Sequence, residues 1–279
     1  VYKRQARNSG DSKSARSFFE QAIALTNKYN LDEVLNARLL NNLGLLELDM
    51  GEKEQSLNYF DQAFQVFERV NNRFASAVVL SNLGRAYLEL GHNDKAHLLL
   101  MDSLHAFRVM EDDANMARVL AQLAINQYNE RQLDHARNSL FESIDCARRV
   151  SALPFEATSL NYLGWIELAE ANIDEAEQYL RLALDRFVKL NDTVGIAGCL
   201  EDLGTIATAK KQYNQAVVLL SAADAVRGSF QRPSFSESIY TENVSKLQSI
   251  LGSNKYAQLW AEGKKISIQQ AIEIALNGI

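Results

Sequence analysis

Four histidines, His92, His97, His105 and His135, are the first residues whose type suggests chemistry, and three of them stand close together. A zinc site would set two of them in an H-x-x-x-H pair or add cysteines at metal-ligand spacing, and neither pattern occurs. They read as solvated helix positions, with His97 and His105 able to share one helix face. The acidic pairs Glu52 with Glu54 and Asp112 with Asp113 fall in turns and helix starts, where the helix dipole favours negative charge. A phosphate-binding loop needs G-x-x-x-x-G-K-[ST]; Gly263-Lys264-Lys265 lacks both the earlier glycine and the hydroxyl. Cys146 and Cys199 lie far apart, show no C-x-x-C spacing and read as buried free thiols. No catalytic residue, metal or cofactor is expected, so the residues that matter should bind rather than react.

The elements that would position them come from a repeat. The pattern Ala-x-x-Leu-x-x-Leu begins at Ala37, Ala77, Ala117, Ala157 and Ala197, a period of 40 residues, and is followed by Gly44, Gly84, Ala124, Gly164 and Gly204. Steps of three and four residues return to one side of a helix, so each copy is the packing face of a first helix, over about residues 33 to 50 in the first unit. Glycine in mid-helix costs about 1 kcal/mol relative to alanine, which close approach of a partner helix would offset. That partner carries Ser56, Ala96, Ala136, Ala176 and Ala216, then Phe60, Leu100, Leu140, Leu180 and Leu220, then Ala63, Ser103, Ser143, Ala183 and Ala223: small, large, small. Gly51 and Gly91 sit in the turns within the first two pairs, and Arg131, Ala171 and Lys211 replace them later, where less regular turns are expected. The pairs Asn71-Asn72, Glu111-Asp112, Ser151-Ala152 and Asn191-Asp192 between units are expected to cap the helices that follow.

Two prolines and thirteen glycines in 279 residues suit long helices with short turns, and no β-branched alternation suggests a sheet. The net charge of −6 disfavours direct nucleic-acid binding. No apolar run reaches the roughly 20 residues of a membrane span and no leader pattern opens the chain, so a cytoplasmic location is expected. The first methionine is Met50, which suggests a fragment. The expected layout has a non-native or disordered start at 1–11, the second helix of a truncated repeat at 12–30, five helix pairs at 31–230 and a helical cap at 231–279. The cap should open with a linker, Ser229 to Phe235, and with two capping boxes, Ser234-x-x-Glu237 and Ser267-x-x-Gln270.

These columns resemble the tetratricopeptide repeat (TPR) family over roughly residues 12 to 227. Its usual unit is about 34 residues, so this chain is similar to a longer-helix variety. The family's tyrosine-like column is filled by Tyr87, but by Glu47, Gln127, Glu167 and Ala207 in the other units. The resemblance implies an all-α, right-handed superhelical solenoid of antiparallel helix pairs with a C-terminal helical cap. The tail, from Ala216 through Leu220, Arg227, Pro233, Tyr240, Leu251-Gly252, Tyr256, Trp260 and Gly263 to Leu276, resembles the carboxy-terminal end of large bacterial signal-transduction NTPases and transcriptional regulators of the LuxR or maltose-activator type. That implies a sensor or oligomerisation region of a longer regulator. A free-standing TPR scaffold that binds a peptide is the alternative.

Function should then reside on a second face of the first helices, where residues differ between units while the framework stays constant. That face holds Arg38, Asn41, Leu45 and Leu48; Val78, Ser81, Arg85 and Leu88; Arg118, Ala121, Ile125 and Tyr128; Thr158, Asn161, Trp165 and Leu168; and Gly198, Glu201, Thr205 and Thr208. In the TPR family this face lines a ligand groove. The resemblance implies that Leu45, Arg85, Ile125, Trp165 and Thr205 look into it. It also makes Trp165 and Tyr128 candidate aromatic anchors, and Arg38, Arg85 and Arg118 candidate partners for peptide carboxylates. Asn42 and Asn82 resemble asparagines that hold peptide backbone in that family. The expected partner is a protein or peptide, with self-association a second expectation and neither nucleic acid nor membrane engaged.

Overall fold

The computed structural model describes residues 11–29, 32–228 and 234–277. The expected start at 1–11 falls almost wholly outside them. So does Pro233 with most of the expected linker, and nothing is described of the Ser234 side chain in the first capping box.

Fourteen helices lie in the described residues: α1 (Asp11–Lys28), α2 (Glu33–Met50), α3 (Lys53–Arg69), α4 (Arg73–Glu89), α5 (Asn93–Val109), α6 (Asp113–Asn129), α7 (Leu133–Arg149), α8 (Leu153–Ala169), α9 (Ile173–Lys189), α10 (Thr193–Ala209), α11 (Tyr213–Arg227), α12 (Ser234–Leu251), α13 (Ser253–Gly263) and α14 (Ile268–Asn277). The fold is all-α, and α2 to α11 form sequential antiparallel pairs. The chain divides into two units at Cys146/Ala147, within α7.

In the first unit the core runs between the paired helices and on to the next pair. Phe60, Leu100 and Leu140 are fully buried, as are the small residues Ser56, Ala96, Ala136, Ala63, Ser103 and Ser143 that flank them. A Cβ built on Gly44 would stand 2.7 Å from the Phe60 ring, and one on Gly84 2.6 Å from Leu100 Cγ. Close approach of the second helix thus accounts for glycine in mid-helix. Two of the small residues also tie the helices together, Ser103 Oγ donating to the Ala77 carbonyl at 2.8 Å and Ser143 Oγ to that of Ala117 at 2.7 Å. Leu48, read from the sequence as a face residue, belongs to the core with Ala37, Leu40, Phe60 and Val79.

The second unit repeats the scheme. Gly164 faces Leu180 and Gly204 faces Leu220 at 2.6 and 2.9 Å from the built Cβ. Behind the last pair, Leu247 of α12 and Tyr256 of α13 join Ala207, Ala216, Val217 and Leu220 in one cluster. Here α14 packs on α9, α10 and α11, and Arg181 Nη1 donates to the Leu276 carbonyl at 2.7 Å. Its helix opens with a capping box, Gln270 N to Ser267 Oγ at 3.2 Å and Ser267 N to Gln270 Oε1 at 2.9 Å.

The turns correct one expectation. Arg131, Ala171 and Lys211 take φ of 62°, the left-handed conformation that Gly51 and Gly91 also take. All five turns close with the same two hydrogen bonds, as in Ala171 N to Leu168 O and Asn172 N to Glu167 O. The turn geometry is therefore set by the helix pair and imposed on whatever residue stands there. Between successive pairs, Asn72, Asp112 and Asp192 cap the next helix through their side chains, whereas Ala152 offers none and α8 starts with a proline in its first turn.

Candidate functional site

In the first unit, α2, α4 and α6 lie side by side, which brings their face residues together. Asn82 Nδ2 donates to Asn41 Oδ1 at 2.8 Å. From α6, Arg118 Nη1 donates to Ser81 Oγ at 2.6 Å and to Asn82 Oδ1 at 3.3 Å, and its Nη2 donates to Asn115 Oδ1 at 3.0 Å. Asn115 is held in turn by Asp112. Arg85 makes an ion pair with Asp49 on α2, Nη2 to Oδ1 at 2.9 Å. Arg118 therefore sits among neutral oxygens with a second cation nearby. Burial, with a smaller contribution from Arg85, brings its pKa down to about 10 against the opposing effect of Asp112. One turn further along α6, the Gln122 Oε1 is buried and meets no hydrogen-bond donor among the described residues.

Other expected residues of this unit are less engaged. Arg38 is exposed, and Asn42, Leu45, Ile125 and Tyr128 are half-buried, Leu45 leaning on the core. Ala121 is buried. His92, His105 and His135 are exposed, but His97 departs from the solvated reading: it is half-buried, with Nδ1 3.2 Å from Asn126 Oδ1. Asn126 itself donates to the Asn93 carbonyl at 2.8 Å.

The second unit holds a separate cluster. Asn161 Nδ2 and Trp165 Nε1, both on α8, donate to the same oxygen, Asp202 Oδ2 on α10, at 3.0 and 2.8 Å. Tyr162 packs beside Trp165 with ring centroids 4.7 Å apart. Burial pushes the Asp202 carboxyl up to about 6, although the two donors and Arg227 pull it down. Glu201, expected on the groove-lining face, is buried in a two-point ion pair with Arg227, at 3.0 and 2.5 Å. Thr208, expected on the same face, is also buried. Thr205 receives Asn243 Nδ2 of α12 at 3.1 Å. The Cys199 thiol is pushed well up, chiefly by burial and then by Asp202.

The structure thus gathers Asn41, Asn82 and Arg118 in one network and Asn161 with Trp165 in another, while Arg85 is tied to Asp49. Sequence reasoning missed Asp202, Asp49 and Asn115. Asp202 was within reach, since it stands in the same 40-residue column as Asn42 and Asn82; Asp49 and Asn115 carry no such signal.

Residues 35–109 and 157–192 match family descriptions of the tetratricopeptide repeat. A Mycobacterium tuberculosis protein described as "Putative HTH-type transcriptional regulator Rv0890c" is 27% identical over 174 residues, 61% of this chain. The chain spans about one fifth of that relative's length, 19%. Among solved structures, a Rap protein complexed with Competence and Sporulation Factor superposes with a TM-score of 0.60 at 14% identity, covering 94% of this chain and 86% of that one. BtubC from P. vanneervenii gives 0.61 at 18% identity, covering 80% and 93%. A Rap conjugation gene regulator in complex with the Phr* peptide gives 0.63 at 15%, covering 88% and 72%. At these identities the likeness is one of fold. With the helix pairs, the buried columns and the two matched stretches, the chain carries a tetratricopeptide repeat region.

Proposed function

We propose that this region is a protein-interaction module of a larger bacterial signalling or transcription regulator, and that it takes a peptide or partner protein on the faces of its first helices. The observation that carries the reading is the contrast along those helices. The framework columns keep their small and large residues in every pair, whereas the adjoining columns hold an arginine and asparagine network in one unit and an aromatic and carboxylate cluster in the other. Arg118 has only neutral partners within hydrogen-bond reach, and the Gln122 oxygen lacks a donor. A peptide carboxylate and a backbone N–H would satisfy both. Arg38, Asn42, Leu45, Ile125 and Tyr128 surround that network on the same helices, and Trp165 offers a half-exposed ring in the second unit.

The regulator assignment rests on the partial match to the mycobacterial protein and on the tail pattern. Reading the frame upstream of Val1 tests it. An NTPase or DNA-binding module there supports it, and a start codon one helix upstream overturns it. Site placement is tested on peptides selected from a random display library against the 279-residue chain. Arg118→Ala should weaken the selected peptides that carry an acidic group by about tenfold or more, the scale of losing a hot spot, and Trp165→Ala should do so for those that carry an aromatic group. Unchanged affinity in both variants, with circular dichroism unaltered, would move the site off these faces.

A further inference from the structure

The outer side of α5, away from α4 and α6, carries an apolar stripe that the repeat does not call for. Leu98 is 66% exposed, Met101 42% and Val109 69%. The framework of α5 is the same as in the other second helices, so these three positions can be compared directly along the array. The first pair has Asn58, Asp61 and Arg69 there, on α3, and the fourth has Gln178, Arg181 and Lys189, on α9. On the neighbouring helix α7, Phe141 stands at the Met101 position and is also exposed, and the Arg108 to Glu142 ion pair at 2.7 Å runs between the two helices beside it. An apolar stripe of this kind, extended by Phe141 of the next pair and rimmed by charge, marks a contact surface.

The charges indicate what covers it. Along the exposed side of α5, Asp94 and Lys95 lie in the first turn, Asp102 lies just past the middle, and His105 and Arg108 follow in the last two turns. An antiparallel pairing that lays Leu98 against the partner's Val109 also brings Asp102 level with the partner's His105, one turn from its Arg108. One register therefore serves Leu98 with Val109 and Asp102 with His105 together, which is the requirement of a two-fold interface in which one patch meets its own copy.

We propose that this chain self-associates through α5, with two copies crossing antiparallel and Phe141 of each extending the contact. The stripe lies on a second helix, so the proposal stands apart from the first-helix reading and fails or holds independently of it.

Sedimentation velocity of the 279-residue chain over a concentration series tests the contact. A reversible monomer–dimer equilibrium is expected. Leu98→Asn with Met101→Asp and Val109→Arg installs the residues that α3 already carries in a folded second helix, and should raise the dimer dissociation constant by about tenfold or more at unchanged helicity. Asp102→Lys or His105→Glu alone should weaken the dimer, and the two together should restore it. A chain that stays monomeric at every concentration overturns the proposal, as does a dimer indifferent to the triple substitution. Failure of the double charge exchange to recover association overturns the register and with it the two-fold contact.

Discussion

Asp202 shows how a single residue governs its surroundings. Both donors, Asn161 and Trp165, converge on one of its oxygens, so the carboxyl fixes the position of the one half-exposed tryptophan on that face. Its pKa, raised from 3.8 to about 6, means that the folded chain holds this proton more tightly than the unfolded chain. Stability should therefore fall as pH rises from about 4 to about 6, and this contribution should be constant above that. Trp165 emission should titrate with a midpoint near 6, whereas Trp260, stacked on Tyr256 at 5.4 Å, should not follow it. Asp202→Asn should remove the titration and the slope; an Asp202→Asn chain whose Trp165 signal still titrates would place the proton elsewhere. Periodicity identifies a column but not what a changed residue will meet: Asp202 stands in the column of Asn42 and Asn82, and nothing in the sequence says that Asn161 and Trp165 donate to it. Glu47 makes the same point. Its tyrosine-like column was readable, but not that its carboxylate is fully buried 3.2 Å from Arg16 Nε and raised in pKa chiefly by that burial.

At the scale of the element, helix ends and packing faces were readable because both depend on local chemistry: a capping serine, a glycine opposite a large residue, a small-large-small column. The turns within pairs were not. Ala171 and Lys211 give no local sign of a left-handed backbone, and it is the packing of the two flanking helices that forces it on them. For an L-residue that conformation costs roughly 1–2 kcal/mol, partly balanced in the unfolded chain by its lower entropy relative to glycine. Ala171→Gly and Lys211→Gly should each stabilise the second unit by about 0.5–1 kcal/mol, read as an upward shift of the urea midpoint at constant slope. A downward shift would mean that these turns relax without strain. The opposite substitution at a packing glycine should do harm. The Cβ of Gly164→Ala would stand 2.6 Å from Leu180 Cγ, against the side chain rather than in open space, and a cost of about 1–3 kcal/mol is expected. Leu123→Ala, which empties a buried inter-helix position, should cost about 2–5 kcal/mol in the first unit.

For the molecule as a whole, a repeat array has no single centre, and each pair is stabilised by its own contacts and by those with its immediate neighbours. Behind the last pair, α10 and α11, the residues Ala207, Ala216, Val217 and Leu220 share one cluster with Leu247 and Tyr256, and the half-buried Tyr240, Leu259 and Trp260 pack on it. The cap also reaches back beyond that pair, through Arg181 of α9 bonded to the Leu276 carbonyl. Truncation after Gly228 removes all of these contacts and leaves the repeat columns untouched. Nearest-neighbour coupling then makes a graded prediction for hydrogen exchange. Amide protection should fall most in α10 and α11, less in α9, and least in α8, the farthest of the four along the chain from the cap. A loss of equal size across all four helices would show that the second unit unfolds as one block. Unchanged protection in α10 and α11 would show that the apolar cluster behind α11 contributes nothing to their stability.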